Sequence, residues 1–479
     1  RLSLVGSEMC IRDSQITLLK FVISKSDGSN PVKLDTDMII SFDFMESIVS
    51  PMLSGQVVIS DSKDFINEFP IEGGEIIEID VKSSWSEDPT QYKLRVYKIG
   101  GRVIDGKKQL YTLLLISEEA LVNESVRVQK QLEGNPESII GKLIQNELKS
   151  TKEIFSEPSR FKIKMLPGNV RPFDIIAKLT KRSVSNKTTF GQPITNGDKE
   201  ESQQQIKGSA GFLFWETNRG YNFFSVDALC DISEERVFSA PRLQTQSWGP
   251  YKEEIANIDD GSDARLKLAA FTFSSEVDIM SSLRLGKYST KMVFFNHSTG
   301  KYDEYLYKIK DSYDNMAHLG GQTSVSLIPV NTEELSVKPT RIMSAILDHE
   351  TWFDDPKIGN PDDPKADNPT EYADWIKYYS AQSVARYDLL QNQEATMKIP
   401  VNPLICAGDK IAVALQRKAP DFAKEQKPFD TESSGVYLVK EVTHTYSFVV
   451  GGVTGNGYTT LRLFRDSYGT EIEPSKHGE

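Results

Sequence analysis

Histidines, acidic pairs and glycine-rich turns are the features of this 479-residue sequence whose spacing would first suggest chemistry. The five histidines show no metal-ligand spacing, and DHETW at 348–352 lacks the second histidine of a zinc-protease HExxH motif. GSAG at 208–211 lacks the GxSxG spacing of a nucleophile elbow. GGVTGNGYTT at 451–460 has no Lys-Ser/Thr ending, so it predicts a hairpin loop rather than a phosphate-binding loop. We therefore expect no catalytic, cofactor-binding or metal-binding residues. The histidines are His297, His318, His349, His444 and His477.

Carboxylates offer no stronger signal. The adjacent pairs Glu118-Glu119 and Asp259-Asp260 are expected to be solvated surface charge at a strand exit and in a loop. The acidic stretch at 354–370, DDPKIGNPDDPKADNPT, lacks the alternating ligands and central glycine of an EF-hand, so it predicts a loop and not a calcium site. A second polar stretch, 185–209, is also predicted to be a loop.

Two of the three cysteines are expected to be reduced and buried. Cys230 and Cys406 are far apart and without CxxC spacing, which favours neither a disulfide framework nor zinc. Cys10 lies in LVGSEMCIRDS (4–14), which resembles the translation of a sequencing-library adapter. We therefore expect residues 1–14 to be foreign to the protein.

Composition limits the classes of partner. A net charge of −12 argues against tight nucleic-acid binding, which needs clustered Lys and Arg. Since no run approaches the roughly 20 apolar residues of a spanning helix, we expect no membrane insertion.

Strands are predicted to dominate the elements that would position any site. Period-two alternation is clear at 76–82, where Ile77, Ile79 and Val81 share one face. It recurs at 92–99, 110–117, 291–295, 410–415, 436–448 and 458–464. Helices are predicted at three places: after Asn135-Pro136-Glu137, with Ile139, Ile140, Leu143, Ile144 and Leu148 on one face; from Pro172, with Phe173, Ile176, Ala177 and Thr180; and around Tyr372, Trp375, Ile376 and Tyr379.

An aromatic hairpin is predicted at 208–229, GSAGFLFWETNRGYNFFSVDAL. Phe212, Phe214, Tyr221 and Phe223 are expected on one side, and Trp215 and Phe224 on the other. Burial on both sides fits a core and inter-domain contact. The alternative is an aromatic platform for a sugar or a nucleobase.

The two ends of the chain show an internal repeat. PIEGGEIIEIDV (70–81) aligns with LICAGDKIAVAL (404–415), with Gly74 on Gly408, and YTLLLISEE (111–119) aligns with YTTLRLFRD (458–466). Duplicated small β-barrels would give this order of elements. The alternative is that any two β-domains share such alternation.

Several stretches resemble the central hub subunit of baseplates in contractile-tailed (T4-like) bacteriophages. They are FDFMESIVSPMLSGQVVISDSKDFINEFPIEGGEIIEIDV (42–81), KLRVYKI (93–99), QLYTLLLISEEALVNESVRVQK (109–130), the aromatic hairpin, GVYLVKEVTH (435–444) and TTLRLFRDSYG (459–469). The resemblance implies a mainly β (α+β) fold with two tail-tube-like β-barrel domains, intervening α+β domains and ring formation. With the adapter-like segment 1–14 set apart, we expect these parts: first barrel 15–132, α+β domain with the aromatic hairpin 133–235, β-rich continuation of the intervening or second barrel region 236–345, acidic Pro-rich loop 346–370, second barrel 371–469 and tail 470–479.

The resemblance also implies a structural, non-enzymatic virion protein. Such a hub forms a homotrimer, joins the tail tube or a tube adaptor to the central spike, and lets DNA pass during genome ejection. It would be located in the tail baseplate, and in the host cytoplasm during assembly. Two alternatives remain at this point: a tail-associated peptidoglycan hydrolase, and a carbohydrate- or receptor-binding β-protein.

Overall fold

The computed structural model shows a mainly β chain with two barrels and α+β elements between them. The structure describes residues 15–186, 210–232, 246–253, 264–347, 369–418, 420, 429–448 and 454–469, apart from short gaps at 161, 297–299, 314–315, 323, 326–327 and 332. The predicted artefact at 1–14 and the tail from 470 lie outside these residues, as do His297, His349, His477 and the pair Asp259-Asp260.

The strands fall into an N-terminal, a central and a C-terminal group. The N-terminal strands are β1 (Gln15–Ser24), β2 (Val32–Lys33), β3 (Ile39–Ser47), β4 (Ser54–Asp61), β5 (Ile76–Lys82), β6 (Thr90–Asp105) and β7 (Lys108–Ile116). The central strands are β8 (Leu132–Gly134), β9 (Ile154–Ser156), β10 (Ile163–Met165), β11 (Phe212–Thr217), β12 (Gly220–Ser225), β13 (Ser247–Lys252), β14 (Ala270–Ser275), β15 (Ser289–Asn296), β16 (Lys301–Lys308), β17 (Pro329–Val330), β18 (Glu333–Glu334) and β19 (Arg341–Leu347). The C-terminal strands are β20 (Gln393–Pro400), β21 (Lys410–Ala414), β22 (Gly435–Phe448) and β23 (Thr454–Arg465).

Helices are fewer and shorter, with one exception. They are α1 (Phe65–Glu68), α2 (Glu118–Ser125), α3 (Pro136–Lys142), α4 (Pro172–Thr180), α5 (Val226–Cys230), α6 (Ile279–Leu285) and the long α7 (Pro369–Leu390). Helix α3 continues as a π-helical turn, Leu143–Glu147. No helix among the described residues has the length and apolar character needed to cross a membrane.

The first barrel is a closed ring of antiparallel strands. Its order is β1–β5–β6–β7–β4–β3–β22–β23, and β23 pairs with β1 to close the ring. Alternate residues of each strand point inward, as with Ile77, Ile79 and Val81 on β5, all of them buried. The period-two signal therefore predicted the strands and their buried face correctly.

The second barrel is built from β13, β21, β22, β23, β20 and β14, in that order. Its core contains Ile411 and Val413 of β21, Met397 of β20 and Leu461 of β23. This sheet ends at β13 and β14, whose outer edges form no ladder with another strand among the described residues. One isolated bridge, Lys252 to Lys267, draws the two ends toward each other.

The hairpin β22–β23, which we call the shared hairpin, belongs to both barrels. The first residues of β22 pair with β21 in the second barrel, and residues 441–447 pair with β3 in the first. Likewise, β23 pairs with β20 along most of its length and with β1 at residues 454–456. Tyr446 and Phe448 at the far end of this hairpin lie in the core of the first barrel.

The hairpin loop predicted at 451–460 is wrong from Thr454 onward, where the chain is strand, and residues 451–453 lie outside the described residues. Gly455 and Gly457 are part of the ladder. A Cβ on Gly455 would lie 2.3 Å from the backbone oxygen of Ser447, and one on Gly457 would lie 2.9 Å from the Cβ of Val401. These glycines permit close backbone approach between the shared hairpin and its neighbours.

The internal repeat appears in three dimensions as two equivalent turns. Gly74 and Gly408 both have left-handed backbones, with φ of +87° and +92°. The Gly74 N–H donates to Val96 O at 2.7 Å, and the Gly408 N–H donates to Val439 O at 2.9 Å. The alignment of 70–81 with 404–415 is therefore confirmed.

Matching carboxylates complete the two turns. Glu75 accepts from the N–H of Glu72 at 2.7 Å, and Asp409 accepts from the N–H of Cys406 at 3.0 Å. Both carboxylates are buried. Each one therefore satisfies the N–H of the third residue before it.

The second pair of repeat segments is shifted by one residue from the prediction. Val96 pairs with Leu115 and Val439 pairs with Leu463, and a bulge follows at the same place in both hairpins. Leu115 thus corresponds to Leu463. Under the predicted alignment, buried Tyr111 would match exposed Tyr458. Because side chains alternate across a strand, only the shifted alignment keeps buried residues together.

Two of the predicted helices can be compared in detail. All five apolar residues predicted for the first helix are buried. Asn135 is at the N-cap, but its side-chain amide donates to Ser159 O at 3.1 Å and does not cap the helix. In α4, Ile175 and Leu179 are buried whereas the predicted Ala177 is exposed. Helix α7 includes the third predicted helix, and Tyr379 is buried.

The predicted loops lie mostly outside the described residues, at 187–209 and 354–368. Ser185, the first residue of the predicted loop 185–209, is buried and bridged to Ser159. Thr370 already belongs to α7. Helix α7 packs on the sheet of β15, β16 and β19, with Ala381, Ala385 and Leu389 in their common core.

Candidate functional site: the junction of the two barrels

The aromatic hairpin β11–β12 is buried on both faces. Phe212, Phe214, Tyr221 and Phe223 lie in a core with α3 and α4, and Trp215 and Phe224 lie in a separate core on the opposite face. Phe214 stacks on Tyr221 with ring centroids 5.5 Å apart. All six rings are at most 8% exposed. The prediction of a core with inter-domain contact is confirmed, and the sugar or nucleobase platform is wrong because no ring presents a free face.

Trp215 connects the hairpin to the second barrel. Its indole Nε1–H donates to Ala407 O at 2.9 Å, and a Cβ on Gly408 would lie 2.7 Å from the indole ring. A Cβ has no room so close to the ring, so position 408 requires glycine. Gly408 therefore also leaves the space into which the Trp215 ring packs.

Alanine at the two repeat glycines is expected to have unequal effects. Both Gly74→Ala and Gly408→Ala strain a left-handed backbone at a cost of about 1–2 kcal/mol. A Cβ at Gly74 would meet only the Cβ of Ser26, at an ordinary 3.4 Å. At Gly408 the contact with Trp215 adds an overpacking cost of about 1–3 kcal/mol. Urea unfolding followed by tryptophan fluorescence measures the stability of both variants. Equal losses of stability would show that the Trp215 ring does not require glycine at 408.

Arg219, in the turn of the aromatic hairpin, forms a bidentate pair with Asp409. Its two Nη atoms donate to the Asp409 carboxylate at 2.8 and 2.9 Å, and Nη2 also donates to Leu404 O at 2.5 Å. Asp409 also accepts from Trp248 Nε1–H at 2.9 Å. One buried carboxylate thus holds the hairpin turn, the repeat turn and β13 together.

Glu46, at the end of β3, connects the first barrel to the same place. Its carboxylate accepts from the backbone N–H of Asn218 at 2.7 Å and of Ala407 at 2.9 Å. Burial raises the pKa of Glu46 to about 7, against the opposing effect of these two donors and of Arg219. First barrel, aromatic hairpin and second barrel therefore meet at one titratable side chain.

Stability is expected to fall as pH rises from about 5 to 8. The pKa of Glu46 in the folded state, about 7, lies above its ordinary value of 4.5, so the folded state binds the proton more tightly. The resulting stabilisation is complete below pH 4.5 and is lost as pH rises through 7. Glu46→Gln should remove this slope, and Glu68→Gln at an exposed position should leave it unchanged.

Thermal unfolding midpoints between pH 5 and 8.5 provide the measurement. A pH slope that is the same in the wild type and in Glu46→Gln would show that Glu46 is not the titrating group.

Arg386 of α7 forms a second buried ionic cluster. Its Nε donates to Asp227 of α5 at 2.7 Å, and its Nη1 donates to Asp466, just after β23, at 2.8 Å. His318 Nδ1 lies 2.8 Å from the same Asp466 oxygen. Although burial opposes ionisation, Arg386 and His318 hold the pKa of Asp466 well below its ordinary range. The cluster joins the long helix to the aromatic hairpin's helix and to the shared hairpin.

Glu119 corrects one sequence-based expectation. Glu118 is exposed, as predicted, and pairs with Arg95. Glu119 is instead buried and accepts from Ser150 Oγ at 2.6 Å and Lys152 Nζ at 2.7 Å. Lys152 also pairs with the fully buried Glu216 of β11. Helix α2 turns its second residue inward, where the lysine compensates both carboxylates.

His444 and the two described cysteines have packing roles. His444 is buried between Thr459 Oγ1 at 3.0 Å and Ile405 O at 3.1 Å, and burial lowers its pKa to about 4. Cys230 and Cys406 are free and buried, as predicted, and burial raises the pKa of both thiols. Within the described ranges, no three His, Cys, Asp or Glu side chains are grouped to hold a metal ion.

A cavity of about 430 Å³ lies between α7, strands β15 and β19, and residues 181–184 after α4. Its walls are largely apolar, including Met292, Phe294, Met343 and Tyr379. Asp388 is the one carboxylate among the described residues that line it. The two facing carboxylates of a glycoside hydrolase are therefore not assembled by these lining residues.

Comparisons with known proteins show a distant likeness of fold. No family model and no curated protein matches the chain. A tail protein from Neisseria meningitidis is similar at 11% identity and a TM-score of 0.45, over 93% of this chain and 97% of that one. A 43 kDa prophage tail protein from Shewanella oneidensis is 9% identical, with a TM-score of 0.45 over 93% and 98% of the chains. A prophage tail protein from Listeria monocytogenes is 10% identical, with a TM-score of 0.43 over 94% and 95%.

Proposed function

We propose that this chain is a structural hub of a phage tail baseplate, which joins the tail tube to the central spike and lets DNA pass. The observation that carries the proposal is the duplicated barrel, with equivalent turns at Gly74 and Gly408 and one hairpin common to both barrels. Two barrels in one chain offer two equivalent positions, so three chains in a cyclic homotrimer would match a sixfold tube. The tube or its adaptor and the spike are the proposed partners.

The contacts at the junction of the two barrels support a passive structural role. Three buried ionic groups, centred on Asp409, Arg386 and Glu216, connect the aromatic hairpin and α5 to the second barrel, to α7 and to Lys152, and Glu46 connects the hairpin turn to the first barrel. Buried pairs of this kind fix one relative arrangement of the elements they connect, because breaking any one leaves an uncompensated charge. A rigid adaptor between two differently symmetric partners requires such a fixed arrangement.

The net charge of −12 per chain supports the passage of DNA. A lumen whose walls repel phosphates lets a duplex slide without sticking. On this proposal the protein has no enzymatic activity and is located in the virion tail, after assembly in the host cytoplasm. We propose the parts given above as its domains: 15–132 holds most strands of the first tube-like barrel, which β22 and β23 complete, and 371–469 holds the main strands of the second, which β13 and β14 extend.

Light scattering and electron microscopy test the proposal. Purified protein, alone or with a candidate spike or tube protein, is expected to form rings with a mass near three times 53.8 kDa. Titration with duplex DNA should show no salt-sensitive binding. A chain that stays monomeric with both partners present would refute the hub, as would tight DNA binding at physiological salt. A lytic band in a peptidoglycan zymogram would favour a hydrolase instead.

A further inference from the structure

The tip of the β6–β7 hairpin, residues 98–110, is exposed and apolar at its centre; we call it the free hairpin. Val103 is 57% exposed and Ile104 is 67% exposed. The tip keeps its own ladder, in which Val103 pairs with Leu110 and Ile104 with Gln109. On its other side β6 pairs with β5 only up to Arg95, so among the described strands the tip of β6 has one unpaired edge, which natural sheets normally cover.

The internal repeat shows where the equivalent hairpin tip, at the end of β22, lies in this chain. With Leu115 matched to Leu463, the pairings place Val103 at the position of Thr445 and Ile104 at that of Tyr446. Tyr446 is fully buried in the first barrel. Its ring stacks on Phe42 at 5.9 Å, and its hydroxyl lies 2.5 Å from that of Tyr92. The equivalent of the free hairpin therefore fills a slot between β3 and β1.

The second barrel has the corresponding slot. The ladders match β14 with β3, so that Phe271 and Phe273 of FTF correspond to Phe42 and Phe44 of FDF. In the first barrel the shared hairpin pairs with β3, and both phenylalanines are at most 1% exposed. In the second barrel the two rings are only partly buried. The outer edge of β14 pairs with no strand in the part of the chain that the structure describes.

The residues that precede β3 and β14 are held by equivalent hydrogen bonds. Before β3, the Leu34 N–H donates to Phe21 O of β1 at 3.0 Å; before β14, the Leu268 N–H donates to Lys252 O of β13 at 2.8 Å. One difference is that β13 runs parallel to β21, whereas β1 runs antiparallel to β5. Of the two sides of the slot, only the side formed by β3 or β14 therefore has the same geometry in both barrels.

We infer that the free hairpin of one chain adds to the edge of β14 in a second copy of this chain. Ile104 then lies opposite Phe271, and Val103 opposite Thr272, as Tyr446 and Thr445 lie opposite Phe42 and Asp43. The free hairpin cannot use the matching slot of its own barrel, because the shared hairpin occupies it.

Charge supports the same partner. The free hairpin carries Lys98, Arg102, Lys107 and Lys108 against one acidic residue, Asp105. The chain leaving β14 carries Glu276 and Asp278, and the same register brings Lys98 beside them. Opposite charges at the rim favour this register over a slipped one.

Each chain then has one free hairpin and one open slot, on different barrels. Such a contact is head-to-tail, and head-to-tail contacts close into rings when the rotation permits. The inference thus deepens the ring assembly proposed above and rests on it for the number of chains.

Cysteine pairing tests the contact. In a chain carrying Cys10→Ser, Val103→Cys and Thr272→Cys are placed in separate variants, which are mixed and oxidised. Directly opposite residues of an antiparallel pair are close enough for a disulfide. A linked dimer is expected only from the mixture, and the chain with both substitutions should give larger linked species. A disulfide only within one chain would overturn the inference.

A second variant separates this inference from the proposed function. Ile104→Asp should abolish the multimer seen by light scattering while the thermal unfolding of the monomer is unchanged, because Ile104 touches little of its own chain. Leu166→Asp, at a similarly exposed position, should assemble as the wild type does. Rings that form normally with Ile104→Asp and give no cross-link would refute the hairpin contact and leave the hub standing. A wild-type chain that never assembles, even with tube and spike proteins, would refute both.

Discussion

Arg386→Met is expected to destabilise the protein by about 3–5 kcal/mol. The side chain is 1% exposed and compensates two carboxylates, Asp227 and Asp466, that are equally buried. Methionine fills most of the volume but leaves both charges without their guanidinium. The loss should appear in urea unfolding and, because α7 is held there, in faster proteolysis of the chain.

Arg462→Ala is the matched control for Arg386. Arg462 pairs with Glu441 at 3.0 Å on the surface, where its side chain is 62% exposed. Exposed pairs contribute only about 0.2–1 kcal/mol. Adding Asp227→Asn and Asp466→Asn to Arg386→Met should recover part of the stability, since neutral amides need no counter-charge. Equal losses for Arg386→Met and Arg462→Ala would contradict the account of the cluster.

Phe214→Ala is expected to cost about 3–5 kcal/mol, since it removes a ring from a packed core. The ring lies between Tyr221, on which it stacks, and Phe173 of α4, whose ring centroid is 6.4 Å away. Little in this core can move to fill the cavity, because its members are fixed on several helices and strands, among them α3, α4 and the aromatic hairpin. The expected result is a low soluble yield and an earlier urea transition.

Phe295→Ala gives the comparison for Phe214→Ala. Phe295 lies on β15 and is 44% exposed, so its truncation should change stability by well under half as much. A soluble Phe214→Ala protein with wild-type stability would show that the aromatic hairpin is not part of a core.

Local patterns in the sequence predicted the local parts of this fold well. The alternation at 76–82, the five apolar residues after Asn135 and the two faces of the aromatic hairpin all depend on neighbours along one strand or helix. The match of Gly74 with Gly408 was also predictable. A left-handed turn before a strand favours glycine, and in both segments an acidic residue follows it.

Contacts between distant segments were not predictable in the same way. Glu118 and Glu119 are identical letters side by side, and only the direction of α2 decides which one is buried. Arg386, Asp227 and Asp466 come from three separate elements, so no spacing reveals that they meet. The predicted alignment of the second repeat is off by one residue because it matches Tyr111 with Tyr458. The correct register follows from which residues of each strand are buried.

The shared hairpin makes the order of synthesis matter. The first barrel's own strands end at Ile116, but the two strands that close it begin at Gly435, about 320 residues later. At roughly 5–20 residues per second, a ribosome needs roughly 16–64 s to supply them. During that interval the N-terminal sheet has an open seam, and a chain that terminates early never closes it. Only chains synthesised through β23 therefore acquire a complete first barrel.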